Sequence, residues 1–222
     1  MKNTLTLALA LAAATPALAQ VQITEWMYSG NSGEYIEFTN LGSTAIDFAG
    51  WVYDDDSRFA SVAAGGFSLS GFGLVGALES VLITQDDATV FRANWGLSAS
   101  TKVLGGYTNN IGRGDEINLF DAGGNLADRL AYGDVAFPGT IRAQTAGGTP
   151  VSIAALGPQT VMAGNWVLSA TTDVYVSVLA ASGDVGNPGQ FILAAVPEPE
   201  TYAMLLAGLG IIGAIARRRR AS

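Results

Sequence analysis

The sequence predicts an all-β fold in which two antiparallel sheets pack face to face as a β-sandwich. Short runs rich in valine, isoleucine, threonine and aromatic residues recur along the chain, and strands favour this composition. Glycine-rich turns separate the runs, as at Gly65-Gly66, Gly105-Gly106 and Gly123-Gly124. Many short strands without alternating helices are typical of a sandwich rather than of a parallel α/β sheet.

Eight strands and one helix follow from the local patterns. They are strands over Val21–Tyr28, Glu34–Asn40, Gly50–Tyr53, Ser80–Thr84, Glu116–Phe120, Leu126–Tyr132, Trp166–Ser169 and Val174–Leu179, and a helix over Asp87–Trp95. In the second strand, alternation places Ile36 and Phe38 on the side facing the core. Tyr35 and Glu37 fall on the opposite side. The helix has an aspartate to cap its start, and Gly96 can end it.

The N-terminal segment has the features of a removable export signal. Lys2 precedes the apolar run Leu5–Ala14, which is too short to be a durable anchor. Ala17 and Ala19 form the small-x-small site that signal peptidase accepts, which predicts cleavage before Gln20. Residues 1–19 are therefore expected to be a signal peptide that directs the chain through the Sec route.

The C-terminal segment combines an apolar run with a basic end. Its parts are the trio Pro197-Glu198-Pro199, the uncharged stretch Thr201–Ala216, and the arginines Arg217, Arg218, Arg219 and Arg220. A helix of this length spans about 24 Å, which is short for a hydrocarbon core of about 30 Å. Arginines resist translocation, so a transmembrane helix would leave them in the cytoplasm and the preceding chain outside. A buried core helix is the alternative, but soluble helices rarely lack a polar stripe.

This three-part tail resembles the PEP-CTERM sorting signal of Gram-negative bacteria, with Pro197, Glu198 and Pro199 at the motif itself. The resemblance implies recognition by an exosortase, a membrane-embedded transpeptidase or protease that cuts near the motif, often in bacteria that make exopolysaccharide. It also implies an inner-membrane-anchored precursor and a mature form at the cell surface or outside the cell. Residues 197–222 would then have no part in the mature activity.

Residues 20–196 remain as one predicted domain, which is long enough for a proper core. This stretch contains 17 acidic and six basic residues, a net charge near −11. Such a surface repels phosphate backbones, so nucleic acid is not an expected partner.

The absence of cysteine and histidine narrows the possible chemistry. The chain has no disulfide, no thiol nucleophile, no Ser-His-Asp triad and no histidine-bound zinc. Carboxylate pairs can hydrolyse glycosides, but nothing in the spacing selects a pair among Glu25, Glu34, Glu37 and Asp115. We therefore predict no enzymatic activity, no catalytic residues and no cofactor, with the cation site discussed below as the exception.

Segments along most of the predicted domain match a second family pattern. They are Ile23–Trp26, Glu34–Asn40 and Gly50-Trp51 at the start, Gly114-Asp115, Asp121, Gly124 and Asp128 in the middle, and Trp166 and Gly186-Asn187-Pro188-Gly189 near the end. These segments resemble a lamin tail domain, an immunoglobulin-like sandwich found in nuclear lamins and in many bacterial secreted proteins. The resemblance implies an immunoglobulin-like antiparallel β-sandwich without catalytic residues, and a role in adhesion, scaffolding or attachment.

Three adjacent carboxylates, Asp54, Asp55 and Asp56, repel one another unless water or a cation neutralises them. Calcium takes six to eight oxygen ligands and is plentiful outside cells. One interpretation is an exposed acidic turn, which is the simpler one because no EF-hand spacing follows. The alternative is a Ca²⁺ site at Asp54 and Asp56.

Three classes of function remain open. The first is a structural or adhesive surface protein associated with exopolysaccharide, a biofilm or other surface proteins. The second is a calcium-dependent carbohydrate-binding module, which would need exposed aromatic rings; the candidates are Trp26, Tyr28, Tyr53, Trp95 and Tyr107. The third is a polymer-forming subunit that pairs through exposed sheet edges.

Overall fold

Strands make up most of the regular structure in the part of the chain that the computed structural model describes. These residues are 20–55, 66–133, 138–157, 159–160, 165–192 and 208–209. Within these ranges no helix is long and apolar enough to cross a membrane. The predicted signal peptide, the trio Pro197-Glu198-Pro199 and the arginine tail lie outside them, as does the predicted membrane segment apart from Gly208 and Leu209.

Fifteen strands and one α-helix are present in the described ranges. They are β1 (Val21–Gly30), β2 (Gly33–Asn40), β3 (Ile46–Asp47), β4 (Val52–Asp54), β5 (Phe67–Ser68), β6 (Leu74–Val75), β7 (Ser80–Thr84), α1 (Ala88–Trp95), β8 (Val103–Gly105), β9 (Asp115–Phe120), β10 (Leu126–Tyr132), β11 (Gly148–Pro150), β12 (Gln159–Thr160), β13 (Trp166–Leu168), β14 (Val178–Leu179) and β15 (Val185–Gly186). The predicted helix is confirmed, because Asp87 Oδ1 accepts the N–H groups of Thr89 and Val90 at 2.8 and 3.2 Å. Gly96 ends it with φ 65°.

The strands form two main sheets, as the sandwich prediction requires. One has six strands in the order β13-β11-β1-β2-β7-β8, and the other has five in the order β12-β10-β9-β4-β5. Most neighbours are antiparallel, but β7 pairs with β8 and β10 pairs with β12 in parallel. The expectation of purely antiparallel sheets is therefore corrected at these edges. Parallel neighbours need a crossover connection, and α1 provides it between β7 and β8.

The predicted strand over Val174–Leu179 is wrong for most of its length. Asp173 Oδ1 accepts the N–H groups of Tyr175 and Ser177 at 3.0 and 3.1 Å, so the backbone turns here instead of extending. Only Val178–Leu179 forms a strand, which pairs with β15.

The main core lies between the two sheets. Ile36 and Phe38 contribute to it, as predicted. At its centre the ring of Trp26 lies 5.2 Å from that of Tyr132 and 5.3 Å from that of Trp166, all three fully buried. Such tilted and edge-on contacts are the preferred geometry of aromatic pairs.

A buried aspartate joins the two sheets. The register of β1 against β2 shifts between Ile23 and Glu25, which marks a β-bulge at Thr24. The backbone N–H of Ile23 donates to Asp128 Oδ2 at 2.7 Å, from β10 in the other sheet. Asp128 is fully buried, and burial raises its pKa to about 7.

The outer face of the six-stranded sheet is also covered. Helix α1 and residues 169–192, here named the closing segment, contact it. A smaller core forms there, in which the ring of Tyr35 lies 5.5 Å from Phe91 and 5.6 Å from Trp95. Asn94 of α1 holds the closing segment by accepting the Ser182 N–H at 2.8 Å. The sandwich therefore has a third layer on this side.

Candidate functional site

The residues predicted for processing lie almost entirely outside the described ranges. Ala17 and Ala19 of the predicted signal peptidase site are among them, as are the sorting trio and the four arginines. Gln20, the expected first residue after cleavage, is half-buried, and its backbone oxygen accepts the Leu41 N–H at 2.7 Å.

Asp54 does not lie in an exposed turn. It ends β4 opposite Asn118 of β9 and is 3% exposed. Among the described residues, no group of three or more acidic or histidine side chains could hold a metal ion, and Asp56 lies outside those residues. The Ca²⁺ site at Asp54 and Asp56 stays a prediction. A melting temperature that rises with calcium but not magnesium would support it, and an unchanged one would contradict it.

The aromatic rings proposed as sugar-stacking groups are all buried. Trp26 and Tyr53 are fully buried, Tyr107 is 1% exposed, and Tyr28 and Trp95 are 7% and 6% exposed. The Tyr53 hydroxyl donates to the Asn109 backbone oxygen at 2.9 Å, so its polar end is also hydrogen-bonded within the domain. These five rings therefore form no exposed platform in this structure.

The structure brings together two of the four predicted carboxylates, Glu25 and Glu37. They are cross-strand partners in β1 and β2, on the outer face of the six-stranded sheet, and both are buried beneath the closing segment. Glu37 Oε1 accepts the Thr24 hydroxyl at 2.6 Å, and its Oε2 accepts the Gly189 N–H at 2.6 Å. The closing segment is thus bonded directly to the acidic pair.

Glu25 is bound to the same segment at two further points. Its Oε1 accepts the Asn187 N–H at 3.0 Å and the Ser169 hydroxyl at 3.3 Å. The space around it is full: a Cβ added to Gly147 would lie 2.1 Å from Glu25 Oε1, and one added to Gly186 would lie 3.0 Å from it. We name Glu25, Glu37 and their partners Thr24, Ser169, Asn187 and Gly189 the acidic layer.

Burial controls the protonation of the acidic layer. Loss of solvent raises the pKa of Glu25, and the nearby charge of Glu37 raises it further. Loss of solvent likewise raises the pKa of Glu37, although hydrogen bonds from Thr24 and Gly189 oppose the shift. At least one carboxyl group of the pair therefore keeps its proton at neutral pH. A general acid would have such a pKa, but here neither group reaches solvent.

The other two candidate carboxylates hold loops at one end of the sandwich. Glu34 Oε2 accepts the Ile111 N–H at 2.9 Å and the Tyr107 hydroxyl at 3.1 Å. Asp115 Oδ2 accepts the Gly112 N–H at 2.7 Å. Burial raises the pKa of Glu34, and the charge of Asp115 adds to this effect. Both side chains thus stabilise the loop between β8 and β9.

A further aspartate, within the closing segment, links that segment to the turn between β1 and β2. Asp184 is buried, and its Oδ2 accepts the Asn31 N–H at 2.8 Å and the Ser182 hydroxyl at 2.8 Å. Asn31 lies in the turn between β1 and β2. Sequence reasoning missed this contact and the whole acidic layer. The one local signal was the turn Gly186-Asn187-Pro188-Gly189, which supplies two of the N–H donors.

The fold defines a β-sandwich domain with a closed, internally bonded polar layer on one outer face. Comparison with known families places it: the chain belongs to the Lamin Tail Domain family, which matches residues 14–134. The PEP-CTERM protein-sorting motif matches residues 195–220, and it marks an exosortase-sorted extracellular protein with a membrane-anchored precursor. Both resemblances seen in the sequence are thereby confirmed.

The family match ends before the closing segment. Trp166 and the turn Gly186-Asn187-Pro188-Gly189, which resemble the end of the lamin tail pattern, lie beyond residue 134. No curated protein and no solved structure matches the chain significantly. The layer over the acidic pair is therefore built by a part of the chain outside the family match.

Proposed function

We propose that the mature domain is a structural or adhesive, non-enzymatic protein of the cell surface, associated with an exopolysaccharide matrix or biofilm. The sorting motif supports the location, and the family supports a role in attachment. The observation that favours a structural role over sugar binding is the burial of all five candidate rings. A carbohydrate-binding module presents such rings to solvent, where sugars can stack on them.

The geometry of the carboxylates also supports a non-enzymatic role. Glu25 and Glu37 are the pair that the structure brings together, but they are 1% and 0% exposed and bonded to the closing segment. Glycoside hydrolysis needs both a sugar ring and a water molecule beside the two carboxyl groups. The acidic layer leaves room for neither, since even an added methyl group would collide there.

In this proposal, signal peptidase removes residues 1–19 after export through the Sec route of a Gram-negative bacterium. The apolar tail then holds the precursor in the inner membrane, with Arg217–Arg220 in the cytoplasm. Exosortase cuts near Pro197-Glu198-Pro199, and the domain moves outward to bind exopolysaccharide or other surface proteins.

The test is complementation of a host strain that lacks the gene. The wild-type chain should be recovered in the extracellular matrix fraction and restore biofilm mass. A chain with Pro197→Ala, Glu198→Ala and Pro199→Ala should stay in the membrane fraction and fail to restore it. Glu37→Gln keeps the volume of the side chain but removes its acid chemistry, so it should complement fully. An unchanged biofilm in the deletion strain, or a folded but inactive Glu37→Gln chain, would contradict the proposal.

A further inference from the structure

The closing segment presents an apolar surface to solvent. Val174 and Leu179 are each 63% exposed, Val176 is 60% exposed and Val178 is 44% exposed. The intervening Tyr175 and Ser177 are buried, so the side chains that this stretch exposes to solvent are apolar. We name Val174, Val176, Val178 and Leu179 the apolar ridge. A grouped set of exposed apolar side chains indicates a contact surface more strongly than scattered ones do.

The backbone at the centre of the ridge is strained. Val176 has φ 61°, in the left-handed region that a β-branched residue rarely adopts. Glycine or asparagine would adopt this conformation at lower cost. Because the Val176 side chain points outward, packing inside the domain does not explain its presence. A contact made by the side chain itself would explain it.

The chain leaves the domain beside this ridge. Asn187 Nδ2 donates to the Tyr175 backbone oxygen at 3.1 Å and to the Gln190 backbone oxygen at 2.9 Å. One side chain thus ties the middle of the ridge to the last residues before the tail. Eight residues separate Ile192 from Thr201, the start of the uncharged run, and a chain of this length reaches at most about 30 Å. In the anchored precursor, Ile192 therefore lies within about 30 Å of the start of the uncharged run.

The distribution of charge favours an orientation in which the apolar ridge faces the bilayer. Residues 20–196 contain 17 acidic and six basic residues, so most of the surface is repelled by anionic lipid headgroups. Between Asn165 and Gly183 the single charged residue is Asp173. Its carboxylate accepts the Ala170 N–H at 2.9 Å and the Ser177 hydroxyl at 2.7 Å within its own turn. The ridge is thus an apolar face with little charge on an acidic domain.

We infer that the apolar ridge rests on the lipid surface of the membrane while the precursor is anchored. This contact holds the domain against the bilayer, which keeps the short segment with Pro197-Glu198-Pro199 at the membrane surface. The inference depends on the membrane-anchored precursor but not on the role of the mature domain. A second copy of the chain is a poorer occupant, because two domains of net charge near −11 repel each other.

The absence of cysteine allows a direct test by single-site labelling. The chain from Gln20 to Ser222 carries Val176→Cys or, as the matched control, Ala122→Cys, an exposed position between β9 and β10 of the opposite sheet. Each is labelled with an environment-sensitive fluorophore and reconstituted through its tail into vesicles of phosphatidylethanolamine and phosphatidylglycerol. Headgroup-nitroxide lipids then quench any label at the bilayer surface. Flotation reports anchoring separately.

We expect nitroxide lipids to quench the label at position 176 about threefold more than the label at position 122. Val174→Ser together with Val178→Ser should reduce that difference, because both remove apolar contact without touching the acidic layer. Equal quenching at the two positions in floated vesicles would overturn the inference, as would a chain that does not float. Energy transfer between labelled copies that persists after dilution with empty vesicles would assign the ridge to a second copy instead.

Discussion

Gly148→Ala is expected to lower the free energy of unfolding of the mature chain by about 3 kcal/mol. Gly148 lies in β11 opposite Trp26 of β1, and a Cβ there would lie 2.2 Å from Cζ3 of the indole ring. The ring cannot move aside, because it is fully buried and in contact with Tyr132 and Trp166. Urea unfolding followed by tryptophan fluorescence measures the loss.

Two variants make this expectation specific. Gly112→Ala is the control, since its Cβ would meet Asp115 Oδ2 at an ordinary 3.4 Å and the position is exposed; we expect a change below about 1 kcal/mol. Trp26→Phe removes the part of the ring that collides with the added Cβ. Its loss of unfolding free energy should therefore be smaller in the Gly148→Ala background than in the wild-type chain. Strictly additive effects of the two substitutions would contradict the packing described here.

Glu25→Gln is expected to raise the stability of the domain at pH 8 by about 2 kcal/mol and to leave it nearly unchanged at pH 4.5. Burial raises the pKa of Glu25 to about 8 and that of Glu37 to about 7, from an ordinary value of 4.5. Between about pH 4.5 and these raised values, the folded state keeps protons that the unfolded chain has released. The contribution of this pair to stability is therefore fully present below about pH 4.5 and is lost as the pH rises to 8.

Urea titrations across this pH range measure the effect. Glutamine keeps the oxygen that accepts the Asn187 N–H, so the fold should be retained. Asp128, whose pKa is raised to about 7, contributes to the same slope, so the variant should flatten the pH dependence without abolishing it. Asp47→Asn is the control, because Asp47 is exposed and its replacement removes the same charge. A wild-type domain that gains stability from pH 5 to 8 would contradict the buried acidic layer.

Local sequence patterns predicted the parts of the fold that are determined by interactions between residues close together in the sequence. Strand β7 and strand β10 have the predicted bounds, and the cap of α1 follows from the carboxylate before Thr89 and Val90. The strand over Val174–Leu179 failed because Asp173 bonds to the local backbone, and the composition of the segment does not reveal this competition. Short strands such as β8, at the edge of its sheet, and β11, between β13 and β1, depend on pairing with distant partners, which local composition does not encode.

The acidic layer depends on long-range features that the sequence does not display. Strict alternation from Ile23 would place Glu25 on the core side, whereas the bulge at Thr24 moves Glu25 to the outer face beside Glu37. The closing segment that covers the pair comes from residues about 150 positions later in the chain. The sequence does place the PEP-CTERM signal, because that motif is read from consecutive residues and needs no tertiary context.

Mass spectrometry of the C-terminus of the protein from its host is the most direct test of its sorted surface role. In a host with its exosortase, the mature protein should end near Pro197-Glu198-Pro199 and appear outside the inner membrane. In a host without exosortase, it should keep Arg217–Arg220 and stay membrane-bound. A mature extracellular protein that retains those arginines in the wild-type host would contradict the proposed sorting and, with it, the surface function.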